Sequence, residues 1–111
     1  MPKYLAMFSY SPEAMAAMIE NPADREPAIR HVLESVDASL EVFYWMRGSH
    51  DGIAIIDAPD SVTMAAINAT VNSTGSIRSE TYDLFSTSEI HDVLDTARTA
   101  RANFTLPGRS E

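Results

Sequence analysis

The chain has 111 residues, no cysteine and a formal net charge of −8, and 45% of its residues are hydrophobic. This length and composition are typical of one folded domain and argue against a disordered chain. Eight basic residues against sixteen acidic ones disfavour nucleic acid and anionic membranes as partners, because both are bound mainly through Lys and Arg. The lack of cysteine excludes a disulfide scaffold, a thiol nucleophile and a cysteine-ligated metal.

No targeting signal is visible in the sequence. The N-terminus lacks the basic segment and apolar run of a signal peptide, and no apolar run approaches the ~20 residues that span a bilayer. We therefore expect a cytoplasmic protein.

The first third of the chain predicts one strand and two helical segments. Residues 3–10 are rich in apolar and aromatic side chains and predict a strand that stops at Ser11-Pro12, a helix-starting pair. A short helix is expected over 14–20. A second is expected over 24–36, where four apolar residues recur at helical spacing.

The middle of the chain predicts two strands whose two faces are both apolar. Residues 40–47 and 53–58 are joined by a short glycine-containing loop that suits a hairpin. Val42 and Tyr44 should point to one face, and Phe43 and Trp45 to the other. A small helical layer covers only one face of a sheet, so the other face is expected to meet a second subunit.

The last third predicts a helix, a strand and a final helix. The helix is expected over 61–73 and is followed by Gly75, a favourable residue after a helix end. Residues 76–85 alternate as an edge strand would, and 86–89 read as the cap of a last helix. One domain is therefore expected over 1–102, followed by a flexible C-terminal tail over 103–111.

This order of elements defines the predicted fold. A β-α-β-β-α-β chain with a terminal helix predicts an α+β, ferredoxin-like domain with a four-stranded antiparallel sheet. Burial of three or four large side chains from the bare face would contribute ~1.5–3 kcal/mol each. We therefore predict a homodimer, in which the two sheets either pair face to face or form one barrel, or a larger assembly of such dimers.

Several short motifs resemble those of the GYD-domain family. They are found at the start of the chain (2–4 and 9–13), before and within the central loop (43–44 and 48–51), and at the second helix and fourth strand (58–60 and 75–78). Gly48-Ser49-His50-Asp51 is similar to the Gly, Tyr and Asp that name the family. His50 stands where the family usually has its Tyr. The resemblance implies a dimeric α+β barrel and says almost nothing about activity.

His50 and Asp51 are the best candidates for catalysis. A histidine beside a carboxylate can serve as a general base near neutral pH. In the alternative interpretation, Asp51 satisfies backbone groups of the turn and His50 is solvated.

The candidate ligand-binding residues are Tyr10, Tyr44, Trp45 and Arg25. Aromatic rings with polar tips can line a small pocket, and an arginine can hold an anion, but the same residues can serve packing and surface ion pairs. The three histidines are far apart in sequence, so no metal site is expected. No cofactor motif is present, and none is expected to be needed.

Three functions stay open at the level of sequence. The favoured hypothesis is a homo-oligomeric barrel that binds a small apolar or aromatic molecule. The second is a cofactor-independent monooxygenase or isomerase that uses His50 and Asp51. The third is a structural assembly module with no ligand.

Overall fold

The computed structural model describes residues 1–109. The chain forms eight elements in the following order: β1 (Lys3–Tyr10), α1 (Pro12–Glu20), α2 (Glu26–Glu34), β2 (Ser39–Trp45), β3 (Gly52–Asp57), α3 (Ser61–Ser73), β4 (Ile77–Leu84) and α4 (Thr87–Ala102). Residues 110 and 111, the end of the predicted tail, lie outside the described residues. In the described part of the chain, no helix is both long and apolar enough to cross a bilayer.

The four strands form one antiparallel sheet in the order β2-β3-β1-β4. The first strand is therefore central and pairs with β3 on one side and β4 on the other. This strand order confirms the predicted α+β, ferredoxin-like class. The register also confirms the predicted alternation along β2. On one face, Phe43 and Trp45 lie opposite Ala54 and Gly52. On the other face, Val42 and Tyr44 lie opposite Ile55 and Ile53.

One face of the sheet packs against helices and forms the core. Tyr4, Ala6 and Phe8 of β1 are buried there, and Leu33 of α2, only 1% exposed, packs into the same cluster. α3 contributes Met64 and Ile67 to this core. Burial alternates along β1 and β3, as expected for strands with only one covered face.

Within residues 1–109, no helical layer covers the other face, which is here called the open face. Its apolar side chains are half-buried or exposed in the single chain, and they come from all four strands: Leu5, Met7, Val42, Tyr44, Ile53, Ile55, Tyr82 and Leu84. At one corner, Lys3 forms ion pairs with Glu41 and Asp57. Hydrogen bonds to Asp57 and then to Glu41 raise the pKa of Lys3.

Helix boundaries follow local capping signals. The side chains of Ser11, Asp60 and Ser86 accept hydrogen bonds from the first turns of α1, α3 and α4, respectively. Glu89 completes a capping box at α4. The second helix is shorter than predicted, because the chain turns at Asp37 with a φ of +59° and the N–H of Ala38 donates back to Leu33 O at 2.9 Å.

The last helix projects from the body of the domain. The Cα radius of gyration is 18.4 Å, whereas a compact domain of this size has about 13 Å. The principal extents are 63 × 31 × 23 Å, and no residue of α4 is buried. The domain therefore has an elongated shape whose long arm is α4.

Candidate functional site

The turn between β2 and β3 is fixed to the end of β1 by Asp51. Its N–H donates to Phe8 O, its carbonyl accepts from Met46 N–H, and its Oδ2 accepts from Tyr10 N–H, each at 2.8 Å. Three hydrogen bonds from one residue satisfy backbone groups that would otherwise lack partners at the strand ends. Asp51 therefore stabilises the turn and anchors it to the end of β1.

The ring of His50 lies next to Ser9 rather than next to Asp51. The distance from His50 Nδ1 to Ser9 Oγ is 3.4 Å. Within residues 1–109, no hydrogen bond joins the imidazole to the Asp51 carboxylate. The two residues are thus neighbours in sequence that contact different partners, and a joint catalytic role for them stays a prediction.

Four aromatic rings meet on the helix-covered face at the end of the sheet. Phe8 and Phe43 stack with centroids 5.5 Å apart and planes 5° apart, and Tyr10 and Trp45 stack at 5.5 Å and 23°. Phe8 and Phe43 also approach Trp45 edge-on. Trp45 is nevertheless 49% exposed, so it forms the outer rim of this cluster.

The other two predicted ligand-binding residues lie elsewhere. Tyr44 is 66% exposed and points to the open face, away from Tyr10 and Trp45. Arg25 occupies the N-cap position of α2, and its Nε is buried with no hydrogen-bond partner in the described chain. The structure therefore brings together Tyr10 and Trp45 but not the full predicted set.

An apolar cavity of about 80 Å³ lies between the sheet and helices α2 and α3. Phe8, Tyr10 and Phe43 of the aromatic cluster line one wall. The remaining lining residues come from the sheet and both helices: Ala6, Ile29, Val32, Leu33, Ala54, Ile56, Met64, Ile67, Asn68, Val71, Ile77 and Ser79. A wider polar groove of about 710 Å³ runs past the β4 edge and shares Tyr10, Ile77 and Ser79 with the cavity, so the two spaces adjoin.

Asn68 is the one amide in this apolar lining. Its Oδ1 is buried and has no hydrogen-bond partner in the described chain. A buried polar oxygen without a partner costs roughly 1–3 kcal/mol. Sequence reasoning missed Asn68, although the sequence carries a signal for it. One helical face holds the apolar residues Met64, Ile67 and Val71 at positions i, i+3 and i+7. Asn68, at i+4, is the polar exception in that stripe.

No cluster of three or more metal-ligating His, Asp or Glu side chains occurs in the part of the chain that the structure describes. The charged groups with shifted pKa values lie at helix caps and at strand ends, outside the cavity. The cavity therefore offers mainly apolar contact, together with the Asn68 amide and the hydroxyl-bearing residues Tyr10 and Ser79.

Comparison with known proteins gives the family. The family model described as the GYD domain matches residues 4–94, which is most of the chain. This chain belongs to the GYD-domain family. The match begins in β1 and ends in the middle of α4, so it contains the cavity, the aromatic cluster and the turn with His50 and Asp51.

This GYD domain was also compared with curated proteins and with solved structures. No curated protein matches it significantly in sequence. Among solved structures, it is similar to one described as LrpC of B. subtilis, with a TM-score of 0.44 and 16% sequence identity. That match covers 77% of the GYD chain and 51% of the other, so the GYD chain spans about half the length of LrpC.

Proposed function

We propose that this GYD-domain protein is a homo-oligomeric α+β barrel that binds a small molecule between its sheet and its helices. One observation carries the binding proposal: an apolar cavity of about 80 Å³ is lined by Asn68, whose Oδ1 is buried and has no partner in the described chain. Ligand sites characteristically combine apolar walls with very few polar groups that fix orientation.

The size and lining of the cavity define the ligand class. An engineered apolar cavity of about 150 Å³ binds benzene or xenon and stays dry when empty. A space about half as large suits a compact ligand of a few heavy atoms, or the apolar end of a longer molecule that extends into the adjoining groove. A ligand hydroxyl or amine would supply the donor that Asn68 Oδ1 lacks.

The homo-oligomer part of the proposal rests on the open face. Its apolar side chains form a contiguous surface across four strands, and such a surface is uncommon on a protein that works as a monomer. Pairing of two open faces would complete the burial of Ile53, Ile55 and Met7 of both copies in one barrel interior. Because these side chains are already half-buried in the single chain, each would gain only part of the ~1.5–3 kcal/mol of full burial.

Ligand binding is tested with xenon and 2-propanol as probes. Each is titrated into the protein while amide and methyl NMR shifts are followed. We expect the largest shifts at Ile67, Val71 and Ala54. Ala54→Leu should abolish them because the added atoms fill the cavity, whereas Ala65→Leu, on the exposed side of α3, should leave them unchanged. Shifts that persist in Ala54→Leu, or that are absent from the wild type, would refute the binding proposal.

Self-association is tested by light scattering coupled to size-exclusion chromatography. We expect the wild type to elute as a dimer or larger assembly at micromolar concentration. Ile55→Glu places a charge on the open face and should dissociate it, whereas Val62→Glu, at a position 77% exposed on α3, should not. A monomeric wild type would contradict the proposed self-association. It would not affect the conclusion drawn from the ligand titration.

A further inference from the structure

The C-terminal helix α4 presents an apolar stripe that nothing in its own described chain covers. The residues of this stripe recur at spacings of three, four and three: Ile90, Val93, Ala97 and Ala100. Leu94 lies beside them on the helix surface. Val93 and Leu94 are 43% and 63% exposed. In the described chain, α4 makes at most marginal contact with the other helices and strands.

The spacing of this stripe identifies the kind of surface that would cover it. Apolar residues that alternate at three and four residues form a narrow seam, which is the pattern of a helix that packs along another helix. A helix that covers a sheet usually presents a wider apolar face. The small Ala97 and Ala100 permit a close approach of the two helix axes.

We propose that α4 pairs with α4 of a second copy of this chain in an antiparallel arrangement centred on Ala97. In this arrangement Val93 lies beside Ala100 of the partner subunit. Ile90 lies beside the segment of the partner that follows its α4. Large side chains thus face small ones at both ends of the seam, whereas a parallel pair would place Ile90 and Val93 against their own copies and leave a gap between the alanines.

The charge distribution of α4 favours the same orientation. Its N-terminal half carries Glu89, Asp92 and Asp95, and its C-terminal half carries Arg98 and Arg101. The protein has a net charge of −8, so most self-contacts would be repulsive. An antiparallel pair sets the acidic half of one helix alongside the basic half of the other, and a parallel pair sets like charges together.

The α4 pair rests on the proposed homo-oligomer and adds to the open-face contact between its two copies. A helix of 16 residues is about 24 Å long and cannot alone bury the ~800 Å² per partner of a standard interface. Along the chain, Tyr82 and Leu84 of the open face are followed by Phe85, which is 57% exposed, and then by the start of α4. The start of α4 therefore lies close to the edge of the open face, on which the second copy is proposed to sit.

Two full-length variants test the seam in sedimentation velocity experiments. Val93→Glu with Ala97→Glu places two charges in the seam, and Thr99→Glu with Ala102→Glu places the same two charges on the opposite side of α4. We expect the first variant to raise the dissociation constant of self-association about tenfold or more and the second to leave it within about twofold. Equal dissociation constants for both variants, or a wild type that does not self-associate, would overturn the inference.

Cysteine crosslinking tests the orientation, and the natural absence of cysteine makes it direct. Under mild oxidation, we expect Ala97→Cys to form a disulfide-linked dimer, while Ile90→Cys and Thr99→Cys stay monomeric on a non-reducing gel. In a parallel pair, both Ile90→Cys and Ala97→Cys would crosslink, and with a helix lying on the partner's sheet neither variant would. Circular dichroism of each variant checks that α4 has kept its helical content.

Discussion

The carboxylate of Asp51 accepts a hydrogen bond from the backbone N–H of Tyr10 at 2.8 Å. This contact ties the turn before β3 to the last residue of β1, and it orients the strand end that carries the Tyr10 ring. That ring stacks on Trp45 and lines the cavity. The residue that sequence reasoning named for chemistry thus holds the wall of the proposed binding site in place.

We expect Asp51→Ala to lower the free energy of unfolding by about 1–3 kcal/mol, because the N–H of Tyr10 loses a charged acceptor. Urea denaturation followed by tryptophan fluorescence measures this change. Asp83→Ala serves as the control, since Asp83 is an exposed strand residue of β4. If both variants unfolded at the wild-type urea concentration, the anchoring role of Asp51 would be wrong.

Gly52 is required for packing, and Gly52→Ala should destabilise the domain. A Cβ at this position would lie 2.7 Å from Phe8 Cε2 and 2.8 Å from the carbonyl oxygen of Tyr44. The ring could turn aside, but the backbone oxygen of a paired strand could not. We expect a loss of about 1–3 kcal/mol in the free energy of unfolding.

A double-mutant cycle separates the two clashes. Phe8→Leu removes the ring and should reduce the cost of Gly52→Ala, so the coupling energy between the two sites should be favourable by about 0.5–3 kcal/mol. Chemical denaturation of the wild type, both single variants and the double variant supplies the four values. Additive costs would show that the Phe8 ring does not limit the space at Gly52.

Most of the fold was predictable because its signals are local. Apolar alternation in residues 3–10, the Ser-Pro pair at its end and the capping residues before α3 and α4 each specify their element without reference to distant parts of the chain. The ferredoxin-like strand order then follows from the order of the elements. The early end of α2 was missed, because the left-handed turn at Asp37 lacks the usual glycine.

The candidate site was less predictable because it depends on contacts between distant segments. Tyr10 and Trp45 could be grouped as aromatic residues, but their stacking arises from the pairing of β1, β3 and β2. His50 and Asp51 are adjacent in sequence, and yet a turn directs one to Ser9 and the other to Tyr10. The unpartnered state of Asn68 depends on all the elements around the cavity, so no local pattern specifies it.

Acid should weaken two helix caps. Backbone hydrogen bonds from Thr63 and Ser86 lower the pKa values of Asp60 and Glu89 below their ordinary values of 3.8 and 4.5. A carboxyl whose pKa is lower in the folded state contributes stability that is fully present above its unfolded pKa and is lost as the pH falls through its folded pKa. We therefore expect the stabilisation by these two caps to be independent of pH near neutrality. Below about pH 4, protonation of the two carboxylates should lower the free energy of unfolding.

The measurement is urea denaturation between about pH 6 and about pH 3, with Asp60→Asn beside the wild type. Asparagine keeps an oxygen that can accept from Thr63 N–H but does not titrate, so the variant should lose less stability over this range. A variant with the same acid-induced loss as the wild type would show that Asp60 does not contribute to it.

Asn72 should protect the exposed edge of β4. Its Oδ1 accepts from Ser79 N–H at 2.7 Å and its Nδ2 donates to Ser79 O at 3.2 Å, so one amide occupies both outward backbone groups as a neighbouring strand would. Unpaired edge groups are templates for strand addition between molecules. We expect Asn72→Ala to cost about 1 kcal/mol of unfolding free energy and to increase the rate of aggregation on gentle heating, as followed by light scattering.

Two further variants show whether the Asn72 amide itself protects the edge. Asn72→Asp keeps the acceptor but loses the donor, so its aggregation rate should fall between those of the wild type and Asn72→Ala. Ser73→Ala, which removes only a contact to Thr70 O within the same helix, should aggregate as slowly as the wild type. Equal aggregation rates for Asn72→Ala and Ser73→Ala would mean that the strand edge is protected by something other than this amide.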